Sequence, residues 1–71
     1  NDMKIDARGL ACPEPVVRTQ HAIQSNPDGV EVLVDTMAAV ENITRFAKSR
    51  RYEVKVQEND GEYMLTLTKA N

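Results

Sequence analysis

The run Asp6-Ala7-Arg8-Gly9-Leu10-Ala11-Cys12-Pro13-Glu14-Pro15 holds the single cysteine of the chain, where strand-like alternation gives way to helix-like spacing. Thiol chemistry runs through the thiolate, and a helix start favours that anion. First-turn N–H groups have no intrahelical partners, and the peptide dipoles point their positive end there. Pro13 reads as the first helical residue, where a missing N–H costs nothing and the fixed φ suits the helix. Pro15 still lies inside the first turn. Neither proline can donate, so the spacing leaves the N–H groups of Glu14 and Val16 to face a sulfur anion. Such a sulfur would be held rigidly, solvated sparingly and presented outward, able to accept or hand on a group. The plainer reading of Cys12 is a buried cysteine acting as a small hydrophobe.

The neighbouring charged residues each carry two readings. Arg8 offsets charge near a sulfur anion, or is a solvated loop arginine. Glu14 is a poor general base; four residues before Arg18 it forms a favourable helix pair. Asp35 or Thr36 caps a second helix, and with Met37 these residues are a docking contact for a partner. His21 lies nearly three turns from the helix start on a polar face, which reads as surface and does not support a Cys–His pair. The basic run Arg45, Lys48, Arg50 and Arg51 complements the negative end of the second helix. Lying toward the opposite end of the second helix from the Cys12 edge, it argues against direct nucleic-acid binding.

Composition narrows the classes further. Seventy-one residues make one small domain of modest stability. One cysteine and one histidine exclude a disulfide framework, a Cys-x-x-Cys pair and a structural zinc site, so no metal is expected. No apolar stretch is long enough to span a membrane and no signal-peptide pattern is present, so no membrane role and a reducing cytoplasm are expected. A net charge of −2 does not favour nucleic acid or an acidic membrane surface. Met3 reads as a natural start, with Asn1 and Asp2 as an appended remnant.

The elements that must position Cys12 follow from periodicity. Met3 to Ala7 alternates as a half-buried strand. Pro13 to about Ser25 is a helix with Val16, Val17 and Ile23 on its apolar side, Thr19 and Gln20 filling the stripe. Asn26-Pro27-Asp28-Gly29 ends it. Val30 to Val34 reads as a central strand. The second helix runs to about Arg50 with Val40, Ile43, Phe46 and Ala47 buried. Tyr52 to Glu58 and Glu62 to Thr68 alternate around the hairpin signal Asn59-Asp60-Gly61. The order β-α-β-α-β-β fits an α+β two-layer sandwich of the α/β class: a mixed four-stranded sheet with both helices on one face. Both helix starts, with Cys12 and the Asp35-Thr36-Met37 turn, then share one edge, where open α/β sheets bind ligands. On the uncovered face, Leu33 and Met64 meet if the second and fourth strands are neighbours, making a small apolar docking spot.

The segment Gly9-Leu10-Ala11-Cys12-Pro13-Glu14-Pro15-Val16 resembles the Cys-Pro-x-Pro signature of the TusA/SirA/YedF family of small sulfur-carrier proteins. The preceding Asp6-Ala7-Arg8-Gly9, the element order and the length agree, so the resemblance covers essentially the whole chain. Val34 to Ala47 is most similar to the YedF-type branch, which includes domains associated with selenium metabolism, some fused to a DsrE-like domain. The resemblance implies a β-α-β-α-β-β sandwich and a carrier of sulfur or selenium. Cys12 would accept the atom as a persulfide from a donor such as a cysteine desulfurase or rhodanese-like protein. It would relay it to an acceptor such as a DsrE-like protein or domain. Pro13, Glu14, Pro15, Arg8 and Gly9 would support the site. No cofactor is implied, and the chain would be a monomer that behaves as a sulfurtransferase-like protein substrate rather than a turnover enzyme. Residues 1–71 would form a single domain, complete or the N-terminal part of a longer protein.

Two departures bear on this. TusA-like members often carry Asp-Asp-Pro where this chain has Asp35-Thr36-Met37, which weakens any transfer of tRNA thiolation. Glycine usually ends the second helix, whereas Arg50-Arg51 stands here. A left-handed non-glycine residue costs about 1 kcal/mol, so a different turn is expected. Two rivals of other classes are a non-catalytic interaction module using the Cys12 edge for docking, and a small RNA-binding domain.

Overall fold

Strict alternation along a strand sends every second side chain to one face, so the apolar set of each strand must find a common cover. In the computed structural model, which describes residues 3–70, the elements are β1 (Met3–Asp6), α1 (Glu14–Ser25), β2 (Gly29–Val34), α2 (Met37–Ser49), β3 (Tyr52–Asn59) and β4 (Glu62–Lys69). The sheet order is β1-β2-β4-β3. β1 runs parallel to β2, and β4 runs antiparallel to both β2 and β3. This is the expected α+β sandwich, with both helices on one face of a mixed sheet. Asp60 and Gly61 close the β3–β4 hairpin with φ of 54° and 79°, the two positive values a type I′ turn requires.

The core sits between the layers. Val30, Val32, Val34, Leu65 and Leu67 come from the sheet, Ala39, Val40, Ile43 and Ala47 from α2, and Ala22 from α1. Thr19 is fully buried among them. Its hydroxyl donates to the Pro15 carbonyl at 2.8 Å, so burial leaves no orphaned polar group. On the other sheet face Lys4 pairs with Glu31 at 3.9 Å. Leu33 and Met64 are cross-strand partners there, each half-buried, as the adjacency of β2 and β4 requires.

Four local expectations are corrected. The fully buried line of α1 is Pro15, Thr19 and Ala22, so Thr19 lies where expected; Val16 and Ile23 pack against the core but, like Val17, are only half-buried. In α2, Ala39 takes the buried place expected for Phe46, which is half-buried beneath the Arg50 guanidinium at 5.1 Å. Helix α2 ends at Ser49, and Arg51 adopts the left-handed conformation at φ 65°. Its N–H donates to the Lys48 carbonyl at 3.0 Å, so the chain uses the left-handed turn despite the missing glycine. Finally, Pro13 is the N-cap of α1, not its first helical residue, with φ −99° and ψ 15°.

Because β1 and β2 are parallel and each leads into a helix on the same face, α1 and α2 begin at the same sheet edge. That edge carries Cys12.

Candidate functional site

The turn that presents Cys12 is closed by the Glu14 N–H, which donates to the Ala11 carbonyl at 2.9 Å. The Cys12–Pro13 peptide bond is cis. This places Pro13 at the third position of a type VI turn and Cys12 at the second, on the tip. Cys12 is an exposed free thiol. The Glu14 N–H is therefore committed to the backbone and does not face the sulfur as the sequence suggested. Pro13 and Pro15 have no N–H, so the start of α1 is poor in donors just where the thiol sits.

A side chain from the other helix supplies one. The Asn42 Nδ2 donates to Cys12 Sγ at 3.5 Å. Arg45 Nη1 donates to Asn42 Oδ1 at 3.1 Å. Asn42 did not figure among the residues singled out from the sequence. Its signal was its spacing, one turn after Ala38 and Ala39, on the side of α2 that meets the Cys12 turn. Arg45, grouped above with the basic end of α2, reaches back toward the site instead.

Between the two helix starts lies a pocket of about 40 Å³ beside the sulfur. Leu10, Pro15 and Val16 line one side, Ala38 and Ala39 the other, and Thr36 and Asn42 are its polar groups. It has room for a few water-sized atoms and is mainly apolar.

The remaining expected residues divide. Asp35 is not the helix cap: its Oδ2 accepts the Gly9 N–H at 3.1 Å, tying the Cys12 loop to the β2–α2 turn. Gly9 itself has φ 75°, a conformation suited to glycine. Thr36 is the cap, its Oγ1 accepting the Ala39 N–H at 3.1 Å. Met37 opens α2 and is 50% exposed. Glu14 pairs with Arg18 at 3.6 Å.

The Arg8 guanidinium is taken up by two carboxylates. Its guanidinium bonds Asp6 Oδ1 at 2.9 Å and Oδ2 at 2.7 Å, and Glu62 Oε2 at 3.0 Å. These bonds hold Arg8 well above the usual guanidinium range and lower Asp6 from 3.8 to about 2. The Arg8 charge is thus neutralised locally, and the Cys12 loop is braced at its entry.

His21 lines a separate groove with Ile5, Arg18, Ala22 and Ser25. Among the described residues no group of three or more His, Cys, Asp or Glu side chains could hold a metal. No described helix is long and apolar enough to cross a membrane.

Comparison with known proteins bears directly on this arrangement. The family model described as Sulfurtransferase TusA matches residues 3–69. A protein of Methanocaldococcus jannaschii named as a candidate sulfur carrier is 35% identical over 69 residues, covering 93% of this chain and 92% of its own length. The similarly named YrkI of Bacillus subtilis is 33% identical over 66 residues, covering 90% and 88%. The crystal structure of a SirA-like protein from Desulfitobacterium hafniense superposes with a TM-score of 0.87 at 32% identity, covering 97% of this chain and 99% of that one.

Proposed function

The chain belongs to the TusA sulfurtransferase family, and from that premise we propose that it is a sulfur carrier whose Cys12 takes up one sulfur as a persulfide and relays it to a partner protein. The observation that carries this reading is the exposed Cys12 thiol on a turn tip, beside a pocket of about 40 Å³. An accepted sulfur atom adds little volume, and that space lies against the thiol that would carry it. A carrier needs its sulfur accessible to two different partners, whereas an interaction module needs no thiol there.

The transfer balances without an oxidant. The Cys12 thiolate attacks the outer sulfur of a donor persulfide. A new S–S bond forms at Cys12 Sγ while the donor's own S–S bond breaks. The electron pair leaves with the donor's inner sulfur as a thiolate, and the proton stays on the transferred sulfur or exchanges with solvent. Release to an acceptor thiolate is the same step in reverse order. The chain's own contribution is presentation: Gly9 and Asp35 tie the loop, Thr36 caps α2, and the turn holds Cys12 outward.

Donor and acceptor are proteins with persulfide-forming or thiol groups, such as a cysteine desulfurase and a DsrE-like protein. Met37, 50% exposed at the start of α2, is the apolar contact offered to them.

The test is intact mass after incubation with a cysteine desulfurase and cysteine. The expected result is a gain of one sulfur that reduction removes, with Cys12→Ser gaining none. Absence of any adduct with several competent donors would favour the interaction-module reading.

A further inference from the structure

We infer that the Asn42 side-chain amide, oriented by Arg45, is the donor that stabilises the Cys12 thiolate as leaving group when the carried sulfur is handed on. This rests on the carrier reading and assigns a positioning pair within it.

Three observations carry the inference. The first is a shortage: Pro13 and Pro15 have no N–H, and the Glu14 N–H is committed to Ala11, which leaves Val16 as the one first-turn donor of the pair expected from the sequence. The second is the contact itself, Asn42 Nδ2 to Cys12 Sγ at 3.5 Å, across 30 residues of sequence. The third is orientation. A guanidinium carries only donors, so Arg45 Nη1, 3.1 Å from the amide, requires the oxygen on its side. The Asn42 nitrogen is then turned to the sulfur, with its N–H available before any charge develops there.

The direction of the effect follows from where charge lies. In a persulfide, Sγ is a neutral bridging sulfur and any negative charge sits on the outer atom. During release an acceptor thiolate attacks that outer sulfur and forms a new S–S bond to it. The bond from Cys12 Sγ breaks, its electron pair remains on Sγ, and the transferred sulfur keeps its proton. Negative charge therefore appears on the atom that Asn42 faces. A hydrogen bond there strengthens as the leaving group forms, and better-stabilised thiolates leave faster. In the loading direction the same bond quiets the attacking thiolate. Asn42 thus tilts the carrier toward giving.

The experiment follows Cys12 unloading by dithiothreitol, read by intact mass, from two starting forms: the persulfide and the mixed disulfide with glutathione. Asn42→Leu is expected to slow release about fivefold in both, the size of one modest hydrogen bond. Asn42→Asp keeps the size and the Arg45 contact but loses the donor, and is expected to be at least as slow. Asn42→Gln keeps the amide and is expected to restore most of the rate. Thermal melting checks that all three fold. Wild-type rates in Asn42→Leu, or in Asn42→Asp, would overturn the inference, as would a Gln variant as slow as Leu. If the wild type takes up no sulfur from any donor, the carrier reading fails, and the glutathione arm alone decides the role of Asn42.

Discussion

Gly29 opens β2 opposite Thr68 of β4, and Gly29→Ala sets two effects of opposite sign against each other. Gly29 has no positive φ, so alanine can adopt its backbone conformation. Restricting the unfolded chain would then add about 0.4–1 kcal/mol of stability. Against this, a Cβ at position 29 would stand 2.9 Å from the Leu67 carbonyl oxygen, with Thr68 Cγ2 at 3.7 Å. The obstacle is backbone, in a strand hydrogen-bonded on both sides, so it yields only by displacing the ladder. Overpacking of this kind costs about 1–3 kcal/mol. The clash wins, leaving a net loss of about 1–2 kcal/mol. In a domain of this size that lowers Tm by roughly 5–15 °C. Circular-dichroism melting and urea titration measure it, with an unchanged m-value showing that the native fold is retained. Adding Thr68→Ala is expected to recover nothing, because the side chain is not what blocks the Cβ. Persulfide loading is expected to persist below the new Tm, since Gly29 lies at the amino end of β2, away from Cys12. A Tm equal to or above wild type would refute the reasoning.

Asp6 is expected to titrate near 2 in the folded protein, below its ordinary 3.8, because Arg8 hydrogen-bonds both its oxygens. A depressed carboxylate contributes stability that is present above the unfolded value and is lost as pH falls through the folded one. Carboxyl NMR is therefore expected to show Arg8→Ala returning the Asp6 midpoint toward 3.8, and acid unfolding losing only the small share of its pH dependence between 3.8 and 2 that this exposed carboxylate contributes. An unmoved midpoint would remove the ion pair from the account of this loop. Thr36→Ala is expected to cost about 1 kcal/mol of stability and Thr36→Ser much less, since serine keeps the capping oxygen. Equal losses in the two variants would show that the bond to Ala39 is not what Thr36 contributes.

Sequence alone carried the parts of this protein that depend on near neighbours. Alternation from Tyr52 to Glu58 and from Glu62 to Thr68, the Asn59-Asp60-Gly61 turn, and helical spacing after Thr36 are properties of residues two to four apart. They named the element order, and with it the shared edge for Cys12 and α2. Leu33 and Met64 share a spot only if β2 and β4 are neighbours, and the sheet order meets that condition. What tertiary structure decided were partnerships at long range. Arg8 has its acceptor Glu62 54 residues away, Gly9 has Asp35 26 away, and Cys12 has Asn42 30 away. Each depends on how two elements come to rest, and no local pattern encodes it. Of the two carboxylates that hold Arg8, Asp6 stands two residues away in sequence, and only Glu62 is brought to it when β4 lies beside β2. Asn42 looked like one polar residue among several on a helix. Its amide gained a purpose only when α1 and α2 started at the same edge, with a donor-poor turn facing it.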